Sequence, residues 1–72
     1  MTKIIELNIF VKLNSTASTG GQAKMMIRSG KVKVNGEIEL QNRKKLVLGD
    51  TVEIDGKKFK VPEEVLREKV EE

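Results

Sequence analysis

The run Ile27-Arg28-Ser29-Gly30-Lys31-Val32-Lys33-Val34-Asn35-Gly36 decides how this chain is read. It holds a helix end, a strand and a turn in immediate succession. Gly30 is the residue type that most often stops a helix, because without a Cβ it adopts positive φ at little cost. Val32 and Val34 alternate with Lys31 and Lys33, which is the period of a strand with one buried face. Asn35-Gly36 favours a two-residue hairpin turn. Such a turn would set Val34 opposite Glu37 and Lys33 opposite Ile38, mixing apolar and charged faces. A three-residue loop, Val34 to Gly36, sets Val32 opposite Ile38 and Lys33 opposite Glu37. The expectation is therefore a bulged three-residue turn.

Upstream, Thr19 stands three positions before Gln22, the spacing of a capping box. A helix is predicted from residue 20 or 21 to Ser29, with Ala23, Met26 and Ile27 as its core face. Lys24 and Arg28 share another side at i, i+4. Like charges at that spacing cost a few tenths of a kcal/mol, which an anion lying across both would recover. Before this helix, residues 14–21 form a polar loop, and Leu7, Phe10 and Val11 mark a first helix from about Glu6 to Leu13. Ile4 and Ile5 are read as a short strand preceding it.

Downstream, Thr51–Ile54 and Lys57–Val61 flank Asp55-Gly56. A two-residue loop here sets Val52 opposite Phe59 and Glu53 opposite Lys58, so both faces agree. Gly49-Asp50 is the turn that feeds this hairpin. Pro62, followed by Glu63 and Glu64, suits the start of a final helix, whose stripe of Val65, Leu66 and Val70 is thin. The predicted architecture is α+β: two helices on a small, mostly antiparallel sheet, with a short C-terminal helix.

Composition then narrows the chemistry. The 72 residues include no Cys, His, Trp or Tyr and only two Phe. Disulfides, a zinc site, a thiolate nucleophile and an imidazole base are excluded, and so is a broad base-stacking platform. The hydroxyls of Ser15, Thr16, Ser18, Thr19 and Ser29 have no histidine to activate them. Asp50 and Asp55 sit beside glycines, where Asp serves local turn hydrogen bonds rather than a cation. No catalytic residue, metal or cofactor is expected. Nor is a membrane partner, since no run approaches the ~20 apolar residues of a span; with no secretory signal visible, the cytoplasm is the expected location.

Fourteen Lys and Arg against eleven Asp and Glu give +3, unevenly spread. Residues 62–72 carry −3, so residues 1–61 carry +6. A body with that excess attracts polyanions, nucleic acid first and acidic membrane surface second, although composition alone equally suits a Lys/Glu-rich solvated surface. Gly20-Gly21 opens the second helix without the pattern of a nucleotide P-loop, which needs a Ser or Thr after its Lys. A helix N-terminus is nevertheless an anion site, and glycines let a backbone approach closely. Arg43-Lys44-Lys45 is a second basic group.

These residues together resemble the alpha-L RNA-binding domain, first described in ribosomal small-subunit protein four and shared by pseudouridine synthases and tyrosyl-tRNA synthetases. Its Ile-x-x-Gly-x-Val-x-Val-Asn-Gly core is similar to residues 27–36, and its later Gly-Asp to Gly49-Asp50. Phe10-Val11-Lys12-Leu13, residues 19–24 and residues 43–50 look like segments of a short, stand-alone bacterial subfamily associated with ribosomes. The resemblance spans about residues 4–61. It implies an RNA-binding domain over 1–61 and leaves 62–72 as an acidic helix or tail without an assigned role. Many family members begin the second helix with Ser-Arg, where this chain has Gly20-Gly21-Gln22. The expected partner is structured RNA, above all ribosomal RNA, with double-stranded DNA a weaker candidate and the chain a monomer. The expected contacts are Lys12, Thr19, Gly20, Gly21, Gln22, Lys24, Arg28, Lys31, Lys33, Arg43, Lys44 and Lys45. The alternative is a protein adaptor that docks through Met25, Met26 and the acidic C-terminal helix.

Overall fold

The computed structural model describes residues 3–15 and 19–68. Part of the polar loop, 16–18, and the end of the acidic segment, 69–72 with Val70, lie outside the described residues. Strand β1 (Lys3–Glu6) runs directly into helix α1 (Leu7–Asn14), and helix α2 (Gly20–Arg28) follows. Then come β2 (Val32–Val34), β3 (Glu37–Ile38), β4 (Lys45–Leu46), β5 (Thr51–Ile54) and β6 (Lys57–Lys60). A 3-10 turn over Glu63–Val65 leads to β7 (Arg67–Glu68).

The strands form two antiparallel sheets where one was expected, in the orders β3-β2-β5-β6 and β4-β1-β7. Both helices and both sheets bury their apolar sides in one cluster. Leu7, Phe10 and Val11 of α1 meet Ala23 and Ile27 of α2, Val32, Val34, Val52 and Ile54 of the larger sheet, and Ile5 and Leu46 of the smaller. No polar or charged residue among those described is buried.

Helix α1 starts without a side-chain cap at Glu6. Two of its first N–H groups are satisfied from far along the chain instead: Leu7 N donates to the Lys44 carbonyl (2.8 Å) and Asn8 N to that of Asn42 (3.0 Å). Helix α2 ends as the sequence predicts, with Gly30 at φ +83°. The hairpin of β5 and β6 also has the predicted register, Val52 opposite Phe59 and Glu53 opposite Lys58.

The first hairpin corrects the sequence expectation. Val34 pairs with Glu37 and Lys33 with Ile38, so the loop has two residues, Asn35 and Gly36, at φ +52° and +87°. Those are the positive angles of a tight primed turn. Facial agreement does not decide the register, because β3 is a two-residue edge strand with both residues exposed. A strand without a buried face has a weakly specified register. Asn35 decides it. Its N–H donates to Thr51 O (2.7 Å), its Oδ1 accepts from Thr51 N (3.0 Å), and its Nδ2 donates to Asp50 Oδ1 (3.2 Å).

The predicted C-terminal helix is also corrected. Its helix-start residues make only the 3-10 turn, after which β7 adds to β1 with Ile4 opposite Arg67. Leu66 thereby enters the core at 8% exposure. Pairing with the open edge of β1 satisfies more backbone groups than a frayed helix with a thin apolar stripe could.

Asn35→Ala removes two side-chain hydrogen bonds and forces a Cβ-bearing residue without Asn's local compensation into positive φ. We expect a loss of about 2 kcal/mol in urea unfolding; a freely solvated turn would lose less than about 0.5 kcal/mol.

Candidate nucleic-acid interface

The start of α2 is built by Thr19. Its backbone is extended (φ −135°, ψ 159°), its Oγ1 accepts from Gln22 N (3.2 Å), and its carbonyl accepts from Ala23 N (3.1 Å). The side chain thus takes up one of the four N–H groups that an α-helix leaves unbonded within itself at its start. Gly21 is exposed, and a Cβ built there would meet only Thr19 Oγ1, at an ordinary 3.8 Å. Packing therefore does not demand glycine at 21, although glycine is a poor helix former.

Along the same helix, Ala23 and Ile27 are fully buried while Lys24 and Arg28 are exposed. Burial of one stripe fixes the direction of the other, so the two cations project from a helix held rigidly in the core. Met26 packs against that core, and Met25 stands 72% exposed. Lys12 is exposed in the last turn of α1, at the end favourable for a cation. Near that end, Ser15 Oγ lies 3.9 Å from Met26 Sδ, tying α1 to α2.

The other predicted residues are distributed over further surfaces. Lys33 alternates with buried Val32 and Val34, so it lies on the outer face of the larger sheet, away from α2. There it faces Glu53 across β2 and β5, with Nζ 4.0 Å from Oε2. Lys31 is exposed between α2 and β2, and its carbonyl accepts from Asp55 N. Arg43 and Lys44 belong to the loop that closes the start of α1, and Lys45 opens β4 opposite Glu6, all at the opposite end of that helix from the Ser15–Met26 contact. Arg43 Nε donates to Glu6 Oε2 at 3.1 Å. Lys44 and Lys45 border a cleft with Glu37, Glu39 and Asp50. The geometry therefore joins Thr19 to Gln22 with Lys24 and Arg28 on one helix, and separates Lys33 from them.

A sequence model of the S4 domain matches residues 1–62. The chain belongs to the S4 domain family. A relative from Escherichia coli (strain K12) named "Putative RNA-binding protein YbcJ" is 40% identical over 57 residues, 79% of this chain and 81% of that one. A Bacillus subtilis (strain 168) relative named "Probable ribosome maturation protein RlbA" is 40% identical over 55 residues, 76% of this chain and 78% of that one. Among solved structures, 30S ribosomal protein S4e from Thermoplasma acidophilum has the same fold over 83% of this chain, with a TM-score of 0.62 and 21% identity. This S4 domain spans 31% of the length of that ribosomal protein.

Within this S4 domain, two residues matter that composition and charge do not reveal. Glu6 holds Arg43 from 37 positions away, and no local pattern announces that pair. Asp50 is more than a turn residue: Oδ2 accepts from Val47 N (2.9 Å), Oδ1 accepts from Asn35, and its carbonyl accepts from Val61 N (2.9 Å). The signal for it in the sequence is the pair of motifs Val-Asn-Gly and Gly-Asp, which meet in this one junction.

Gly21→Ala should raise stability by a few tenths to about 1 kcal/mol, because the added methyl has space and the unfolded chain loses freedom. Thermal or urea unfolding measures it; a loss of stability would mean that the fold itself requires the glycine.

Proposed function

We propose that this S4 domain is a non-catalytic module that binds structured RNA, with ribosomal RNA or a ribosomal particle as its target. The observation that carries the reading is the start of α2. Glycine there costs helix stability and answers no packing need, while two exposed cations continue along the same helix. A phosphate approaching Gly20 and Gly21 would meet backbone N–H groups and the positive end of the helix dipole, with Gln22, whose own N–H is held by Thr19 Oγ1, and Lys24 and Arg28 beyond it. Thr19 holds the turn in shape, and Lys12 extends the positive surface from α1.

The relatives support the same direction. One is named as RNA-binding and another as a ribosome maturation protein, and the fold recurs in a ribosomal protein. These names favour binding over catalysis and a cytoplasmic, ribosome-directed role. Lys31 and the Arg43–Lys45 segment serve as secondary contacts, while Lys33, engaged with Glu53, contributes least. Phe10 is 1% exposed and Phe59 half-buried, so base stacking has little to work with. Recognition is therefore by shape and backbone, including 2′-hydroxyls, and a monomer suffices for it. Double-stranded DNA answers the same charge but lacks the 2′-hydroxyl.

The double variant Lys24→Ala/Arg28→Ala should weaken binding to a structured ribosomal RNA fragment and flatten its salt dependence. The slope of log K against log salt should fall by about one unit for each phosphate that is no longer neutralised. Lys33→Ala should leave that slope nearly unchanged. Equal slopes for wild type and the double variant in a salt titration would remove α2 from the interface.

A further inference from the structure

A second surface is lined by none of the residues proposed above to meet RNA. Between α1, β1 and the C-terminal segment runs a groove of about 570 Å³. Its floor and walls are apolar: Ile4, Ile9, Leu13 and Val65. Ile9 and Leu13, four apart on α1, are 44% and 59% exposed although the rest of that helix's apolar residues are buried. Two large aliphatic side chains aligned along an open groove are a cluster, not scattered surface residues, and clusters of this kind mark interaction sites.

The charge around the groove narrows the occupant. Glu6, Glu64 and Glu68 border it, with Arg67 among them. Glu6 is occupied by Arg43, which leaves Glu64 and Glu68 against one cation. The described segment that builds this wall, residues 62–68, holds Glu63, Glu64 and Glu68 against Arg67. With Glu63 paired to Lys3 (3.9 Å), the rim keeps a small negative excess, which does not favour an RNA backbone. A second copy docking symmetrically would bring two patches of the same small negative excess together, since a two-fold interface presents the same patch twice. The chain's own last residues, Lys69-Val70-Glu71-Glu72, add one aliphatic group and further negative charge, a poor complement to an acidic rim.

We infer that this groove docks a basic amphipathic segment of a partner protein, its apolar side on Ile9, Leu13, Ile4 and Val65 and its lysines or arginines toward Glu64 and Glu68. Apolar anchors set in a groove and ringed by complementary charge are the physics of helix-in-groove recognition. The proposal stands apart from the RNA reading: α2 lines no part of the groove, so either can fail alone. Together they describe a two-sided module, with a polyanion on the basic helix and a polycation-bearing protein on the acidic side.

The test uses the full chain without RNA and a synthetic amphipathic helix of leucine and lysine as probe, with a glutamate-for-lysine version as control. NMR titration should shift the methyl signals of Ile4, Ile9, Leu13 and Val65 with the lysine peptide and not with the glutamate peptide. The exposed charge reversal Glu64→Lys/Glu68→Lys should weaken the lysine peptide at least tenfold, and Leu13→Ser likewise, with both variants retaining the wild-type amide spectrum. If Glu64→Lys/Glu68→Lys is misfolded, Leu13→Ser alone decides. Four results would overturn the inference: no shift at millimolar peptide, equal response to both peptides, a concentration-dependent dimer abolished by Leu13→Ser, or groove signals moved by Val70→Ser in the absence of peptide. The last two would assign the groove to a second copy or to the chain's own tail.

Discussion

The side chain of Asn35 holds the two halves of this protein together. It sits in a left-handed turn between β2 and β3, yet its hydrogen bonds run to Thr51 and Asp50, sixteen and fifteen positions later. That clasp sets β2 against β5 with Val34 opposite Val52, and so directs both valines to the helices. Asp50 carries the constraint onward, closing the turn at Val47 and fixing Val61 as the chain leaves the sheet. In a domain whose stability is a few kcal/mol, one junction that serves two turns and two strands has a large share of the total. Only Asn, Asp or Gly accept that backbone readily, and of these Asn alone both donates and accepts as the junction requires.

The valines that the clasp aligns share one core cluster with Ala23 and Ile27 of helix α2. With Ala23 and Ile27 fixed in the core, Lys24 and Arg28 have one direction open to them, and the glycine start of the helix is presented beside them. In the proposed RNA complex, with no Cys or His in the sequence and Phe10 buried, backbone amides and cations would do the binding. Charge is segregated accordingly. The helical and loop cations belong to the first 61 residues, whereas Arg67–Glu68 pair with β1 and, with Glu64, border the groove on the other side of α1.

The sequence is most readable where both sides of an element are constrained. In β5 and β6 the apolar pair Val52–Phe59 and the charged pair Glu53–Lys58 demand one register, and the fold has it. The helices are readable for the same reason, through buried stripes and the Thr19 and Gly30 signals at either end of α2. Reading fails where the deciding partner is distant. The Asn35-Gly36 turn misleads because β3 has no buried face and Asn35 answers to Thr51. The last strand reads as a helix because Pro62-Glu63-Glu64 looks like a helix start, while the open edge of β1 lies some sixty positions away. Among the candidate contacts, the Thr19–Arg28 group is visible from spacing alone. The engagement of Lys33 with Glu53 and of Arg43 with Glu6 depends on strand pairing and loop closure, which no local pattern encodes.

The most direct test of an RNA-binding α2 is a residue-level crosslinking map of the protein with the RNA it holds in cells. The account predicts crosslinks concentrated in residues 19–28, with weaker ones at Lys12 and the 43–45 loop, and structured ribosomal RNA as the crosslinked species. Crosslinks concentrated on the outer sheet face around Lys33 and Lys58, or protein that carries no RNA, would contradict it.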